Sequence, residues 1–285
     1  MARQCERTTD DLWEPGCVRA DITAAVEVAA AFGVASTDPK LLQETNNTVV
    51  WLRPEAVIAK VATRPDARND LRLEHAIALE LTAVGGEIAA PLPATRPIAH
   101  EDTGFVVTLW ERLDGVDQAP MRSGDLLRSL GRLHGALAQT AYPLPTFRSS
   151  LTRARSALDD DTLMAAMRPA DRVFLRADYD EGLTVLGDAA TSEHRLHGEP
   201  HDANRILTPT GLRWIDFESC CVGPLEWDFA FQPREVDADL DDVDYKLLAL
   251  LRRLNSARVA TWCLAQSRFP GMRQHGELHL ALLRD

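Results

Sequence analysis

The apolar residues of this 285-residue chain change their spacing near residue 110. Before that point the apolar pieces are short and rich in valine. TVVWL (Thr48 to Leu52) and AVIAKVAT (Ala56 to Thr63) flank the turn residues RPE and predict a β-hairpin, with Pro54 marking the turn. GFVVTLW (Gly104 to Trp110) predicts a further strand. Beyond it, Leu126, Leu130, Leu133 and Leu137 recur at three- and four-residue spacing, the period of a helix. The pattern predicts two lobes of unlike composition, strand-rich up to about residue 112 and helical from 113 to 285, joined near Glu111 to Gly115. Clefts between such lobes are common ligand sites.

Other elements fit this division. Asp21 to Phe32 is Ala-rich and predicts a helix stopped by Gly33. NDLRLEHAIALELTAVGG predicts a second, with Leu73, Ile77 and Leu81 on one stripe and Gly85 and Gly86 ending it. Further helices are predicted at about 154–168, 170–187, 240–255 and 257–267. RILT (Arg205 to Thr208) and LRWIDF (Leu212 to Phe217), separated by PTG, predict one small hairpin inside the helical part.

Composition narrows the classes. The 45% hydrophobic and 26% charged content suits a soluble globular protein. No apolar run of roughly 18 residues predicts a membrane span, and the N-terminus lacks the apolar region of a signal peptide, so a cytoplasmic location is expected. The five cysteines form no CxxC pair, which argues against a zinc cluster or disulfide framework, and Cys220 and Cys221 are expected to be small buried residues. Net charge is −12 with no basic stripe, against nucleic-acid binding. That acidity suits either a cationic substrate or simply an acidic soluble surface.

LHGEPHDAN (Leu196 to Asn204) concentrates the chemistry. His197 and His201 would share a face of a helix, as zinc ligands do, but Gly198 and Pro200 between them oppose a helix interior. Phosphoryl transfer is the better reading. It needs a carboxylate to orient the hydroxyl nucleophile, oxygen ligands for magnesium, and a cation on the nucleotide phosphates. A hairpin between Asn204 and Asp216 would bring both to one end of its ladder, within reach of one ion, with Glu199 on the substrate side.

HGEPHDAN followed by WIDFESCCVGPLEWDFA resembles the aminoglycoside/choline-kinase-like phosphotransferases, relatives of protein kinases. The family pattern is His-Gly-Asp, four residues, Asn, then a hairpin, Ile-Asp-Phe or Ile-Asp-Trp, a Gly-rich bend and Asp-Leu-Ala. This chain has His197, Gly198, Asn204, Ile215-Asp216-Phe217, Gly223 and Asp228-Phe229-Ala230. The resemblance implies an α+β, bilobal protein-kinase-like fold, with a small β-rich N-lobe for the nucleotide and a larger helical C-lobe with the acceptor site. It implies ATP or another nucleoside triphosphate with Mg2+, held through Asn204 and Asp216, and a small-molecule hydroxyl acceptor. A monomer or homodimer is expected.

The resemblance also implies a strand lysine on the phosphates, paired to a glutamate of the next helix: Lys60 with Glu74, Glu80 being the competing partner. A lysine in apolar company usually has a partner. Asn46, Asn47 and Thr48 occupy the place of the phosphate loop, though without glycine, so a plain hairpin turn explains them almost as well. Glu111 and Leu113 would serve the adenine edge through backbone groups. Asp228 would brace the catalytic loop rather than bind metal, His134 would be structural, and Asp202 would form a turn or be solvated.

Pro200 and Asp202 depart from the commonest family pattern, and the main departure lies beside them. The family's proton acceptor is an aspartate, and here Glu199 stands in the place. The acid/base character is the same, but the reach grows by one methylene, and a misplacement of about 1 Å can cost on the order of 10²-fold. Three outcomes stay open: a loop set back to compensate, leaving an active kinase; weak activity or an unusual acceptor; or a lost base, leaving a nucleotide-binding or regulatory pseudokinase. EVDADLDDVDY (Glu235 to Tyr245) would suit an amine-bearing acceptor or be a solvated acidic loop. Tyr245, Trp227 and Trp262 would line an acceptor pocket or pack the lobe.

Overall fold

The computed structural model describes residues 19–45, 47–65, 67–116, 122–187, 192–269 and 271–284. Cys5, Cys17 and Asn46 lie outside the described residues. Packing divides the chain into two units. One holds the described residues up to His75 together with Ala89–Leu113; the other holds Ala76–Ile88 and the chain from Asp114 onward. The fold is α+β.

The first unit is an antiparallel sheet in the order β1-β2-β3-β5-β4: β1 (Ser36–Glu44), β2 (Thr48–Pro54), β3 (Val57–Ala62), β4 (Ile98–Ala99) and β5 (Val106–Glu111). Helix α1 (Ala20–Ala30) buries Ala24, Ala25, Val28 and Ala29 against Val50, Leu52, Ala59 and Val61. Small alanines let the helix approach the sheet closely, and the strands present alternate residues to it. That alternation sends Lys60, between buried Ala59 and Val61, to the opposite face. A one-residue slip would bury its charge under α1. Helix α2 (Ala67–Ala83) follows and carries Glu74. Strand β1 was not predicted. STDPKLLQE is polar and holds a proline, a composition an edge strand tolerates because one side of it needs no partner.

The second unit is mostly helical: α3 (Ser123–Leu137), α4 (Phe147–Ala157), α5 (Pro169–Leu186), α6 (Leu225–Phe229), α7 (Tyr245–Ala265) and α8 (Met272–Arg284). The predicted hairpin is present as β7 (Arg205–Thr208) and β8 (Gly211–Trp214), pairing Arg205 with Trp214. Two short strands, β6 (His194–Leu196) and β9 (Cys221–Gly223), pair on either side of it. Three helix predictions need correction. The expected 154–168 helix lies earlier, on the stripe Phe147, Leu151 and Ala154. The expected pair at 240–255 and 257–267 is one helix, α7. Helix α8 was not foreseen. Cys220 and Cys221 are buried, as expected. Among the described residues, no helix is long and apolar enough to cross a membrane.

Helix α8 carries a pH response. Burial first, then the charges of His275 and Arg258, push the His279 pKa from 6.5 down to about 4. The folded state therefore keeps His279 neutral while the unfolded chain takes up a proton below its ordinary pKa of about 6.5. Stability is expected to fall as pH drops from about 6.5 toward 4. Thermal unfolding of the wild type and His279→Gln between pH 7.5 and 5 checks this. The variant should lose less stability on acidification; an identical loss would discount the histidine.

Candidate active site

The loop after β6 is built around a glycine. Gly198 has φ +86°, and a Cβ there would lie 1.9 Å from the carbonyl oxygen of Ser219. Only a residue without a side chain passes so close to that backbone. Asp228, on α6 and fully buried, holds the turn from beneath. Its Oδ2 accepts from the His197 N–H at 3.0 Å and its Oδ1 from the Gly198 N–H at 2.8 Å. His134 Nε2 meets the same Oδ2 at 2.7 Å. Asp228 and His134 thus clamp the loop backbone. Gln232 continues the clamp, its Nε2 donating to the Pro200 carbonyl at 2.6 Å.

His197 fixes the other side. Its Nδ1 accepts from the Glu199 N–H at 3.3 Å, which leaves Nε2–H to donate to the Ile215 carbonyl at 3.0 Å. Both bonds are satisfied by the neutral ring. Burial drives its pKa down against the nearby carboxylates, so it stays neutral. The ring packs on Phe217 and Trp214, with centroids 4.9 and 5.7 Å away. His197 is a structural pin, and no zinc arrangement with His201 is needed to explain it.

The hairpin brings the oxygen donors together. The Ile215 N–H donates to the Asn204 carbonyl at 3.0 Å, closing the open end of β7 and β8. That bond joins Asn204 to the residue directly before Asp216. The Asn204 amide nitrogen donates to the Glu199 carbonyl at 3.0 Å, which leaves its side-chain oxygen for a cation. Asp216 has a left-handed backbone, φ 68° and ψ 65°. Such a conformation costs on the order of 1–3 kcal/mol outside glycine and persists at sites that require it, with aspartate among the residues that bear it best. An amide oxygen and a carboxylate are hard donors of the type magnesium takes, so the pair fits that ion.

Glu199 faces a partner that sequence reasoning missed. Its Oε1 forms an ion pair with Nη1 of Arg258, on α7, which is 7% exposed. Burial acts to raise the Glu199 pKa, but the charge and hydrogen bond of Arg258 outweigh it and the net shift is downward. Nothing near LHGEPHDAN points to an arginine on a distant helix. Asp202 is exposed and paired to Arg205.

In the first unit, Lys60 Nζ lies 2.9 and 2.8 Å from the two Glu74 oxygens. Glu74 is 2% exposed, so losing either partner would strand a buried charge. Glu80, the competing partner, instead accepts the Ala141 and Tyr142 N–H groups at 2.7 and 3.1 Å within the second unit. Asn47 and Thr48 are buried. The Thr48 hydroxyl donates to Asp21 Oδ2 at 2.7 Å, so it is engaged within the unit rather than offered to a phosphate. The Glu111 N–H donates to the Ala90 carbonyl at 3.0 Å, leaving a hinge role to its carbonyl and to Leu113.

The acidic segment is largely structural. Asp237 holds Arg252 through both oxygens at 2.6 Å. Asp244 caps α7, accepting from the Lys246 and Leu247 N–H groups. Trp227 packs in the core against Phe147 and Phe231. The Tyr245 hydroxyl donates to the Asp237 carbonyl.

Comparison with known proteins bears on the family and the fold. Residues 40–242 match the profile of the phosphotransferase enzyme family. No curated protein sequence is similar to the chain. Among solved structures, the GDP and kanamycin complex of APH(2")-IIIa has a TM-score of 0.65 at 14% identity, covering 92% of this chain and 98% of that one. Spectinomycin phosphotransferase APH(9)-Ia, in complex with ADP and spectinomycin, has a TM-score of 0.59 at 16% identity, covering 91% and 93%. Choline kinase LicA from Streptococcus pneumoniae has a TM-score of 0.58 at 14% identity, covering 90% and 98%. The likeness is one of fold: kinase-like, with a β-rich and a helical unit.

Proposed function

Because this chain belongs to the phosphotransferase enzyme family, we propose that it moves the γ-phosphoryl group of a nucleoside triphosphate, ATP or another, to a hydroxyl of a small molecule. The observation that carries this reading is the meeting of Glu199, Asn204 and Asp216 on one clamped loop and hairpin end. Lys60, held by Glu74, neutralises nucleotide phosphate charge. Asn204 and Asp216 would hold Mg2+, which would offset the charge of the transferring phosphate. Asn47, Thr48, Glu111 and Leu113 would serve the nucleotide through backbone groups.

In the transfer, a bond forms between the acceptor oxygen and the γ-phosphorus. The bond from that phosphorus to the nucleoside diphosphate breaks, and the hydroxyl proton passes to Glu199. Phosphoryl transfer runs through a loose transition state, so the carboxylate's main task is orientation. A lowered pKa is compatible with that task. With Oε1 on Arg258, Oε2 is the oxygen for the hydroxyl.

Hydroxyl-bearing amines are the first acceptors to assay. Structural relatives hold kanamycin or spectinomycin or phosphorylate choline. Here Glu235, Asp239, Asp241 and Asp242 remain exposed beside the bound Asp237 and Asp244. Replacing the base, Glu199→Gln, is expected to lower kcat by about 10²–10⁴-fold with the nucleotide KM unchanged. An unchanged kcat would remove Glu199 from the chemistry. The pairing of its carboxylate with Arg258 favours one competing reading, a nucleotide-binding protein with little or no transfer, and the same assay separates the two.

A further inference from the structure

We infer that Arg258 is the positioning residue for Glu199, and that the site requires a glutamate because only its reach spans the gap between a fixed loop and a fixed guanidinium. This deepens the phosphotransferase reading and rests on it.

The backbone end of the gap cannot move. Gly198 is pressed against Ser219, its N–H is held by Asp228, and the Pro200 carbonyl is held by Gln232. Glu199 lies between these two anchors. The guanidinium end is fixed as well. Asn255, one turn earlier on α7, accepts from Arg258 Nε and Nη2 at 3.3 and 3.2 Å. The Phe231 and Trp227 rings flank the guanidinium carbon at 5.3 and 5.9 Å. Helix α7 packs between α5 and α8 in the core of the unit. Arg258 therefore does not follow the carboxylate; the carboxylate comes to it.

A side chain bridging two fixed points has one suitable length. An aspartate on the same backbone would stop about 1.5 Å short, one C–C bond, and would lose the pair. The uncompensated guanidinium would then compete for acceptor or phosphate oxygens in the site. Pairing also decides which carboxylate oxygen is left for a hydroxyl, because Oε1 is occupied. An arginine suits the task better than a lysine, since its planar fork can bind Asn255 and Glu199 at once in fixed directions.

The test is a double-mutant cycle on kcat with an acceptor the wild type phosphorylates, using Glu199→Asp, Arg258→Met and the double variant. Glu199→Asp, which installs the usual family residue, is expected to lower kcat by about 10²-fold with nucleotide KM unchanged. In the Arg258→Met background the same change should cost less than about threefold, because the anchor that demanded the longer side chain is gone. Arg258→Lys should retain more kcat than Arg258→Met. Unfolding midpoints of all variants separate loss of fold from loss of position, and Arg258→Lys keeps the charge should Arg258→Met unfold. A Glu199→Asp enzyme as fast as the wild type, or two changes whose effects simply multiply, would overturn the inference. A wild type with no transfer to any acceptor would instead overturn the reading beneath it.

Discussion

Asp216→Asn is expected to lower kcat on the order of 10²–10³-fold while leaving the unfolding temperature near that of the wild type. Asparagine keeps the size of the side chain and tolerates the left-handed backbone at φ 68°, so the hairpin end should stay in place. What is lost is a full negative charge beside Asn204. In phosphoryl transfer nearly all catalysis is positioning and charge stabilisation, and removing one preorganised electrostatic group costs a few kcal/mol of barrier. Nucleotide affinity should lose its dependence on magnesium in parallel. Steady-state kinetics and magnesium titrations of nucleotide binding check both outcomes. Wild-type turnover in the variant would remove Asp216 from the site.

Gly198→Ala should be the most destabilising single methyl group that can be added to the loop. The left-handed φ costs a non-glycine residue roughly 1–2 kcal/mol. The new Cβ would also fall 1.9 Å from the Ser219 carbonyl oxygen, a backbone atom that moves only if the chain after β8 moves. Overpacking of this type adds about 1–3 kcal/mol. The sum is a large share of the roughly 5–15 kcal/mol that holds a protein folded. The unfolding temperature should drop by on the order of 10 °C. Turnover should fall even where the variant folds, since the shift is passed to Glu199. A wild-type melting curve would show that the loop has slack, and would weaken the argument that Glu199 hangs from a fixed backbone.

The features legible in the sequence are those whose partners are close along the chain. The β2–β3 hairpin follows from two alternating apolar runs and a turn, and Lys60 then falls on the face away from α1. The small hairpin of β7 and β8 follows from spacing alone, with Asn204 just before its first strand and Asp216 just after its second. Glu74 is fourteen residues beyond Lys60, on the next helix. Features that depend on distant partners were not legible. Strand β1 is polar and borrows its place from β2. Strands β6 and β9 are three residues each, and even their nearest pair, Leu196 with Cys221, is 25 positions apart, counting 221 minus 196.

Helix α7 shows the physical reason most clearly. The break expected at residue 256 falls on Ser256, next to Asn255, and both side chains compete for backbone hydrogen bonds. The structure runs straight through them, and buried Asn255 turns its oxygen to Arg258. Asn255, the last residue of the helix expected at 240–255, orients the arginine that meets Glu199. Local propensity gave way to a tertiary need, and the signal for that need lay in a loop more than fifty residues away.

The most direct measurement is transfer itself. The protein is incubated with Mg2+ and ATP or GTP and a panel of amino alcohols, amino sugars and sugars, and each acceptor is analysed by mass spectrometry for a phosphate ester. An ester is expected on at least one hydroxyl acceptor, formed in step with nucleoside diphosphate and slowed in Glu199→Gln. Tight binding of the magnesium nucleotide with no ester on any acceptor, and no response to Glu199→Gln, would contradict it.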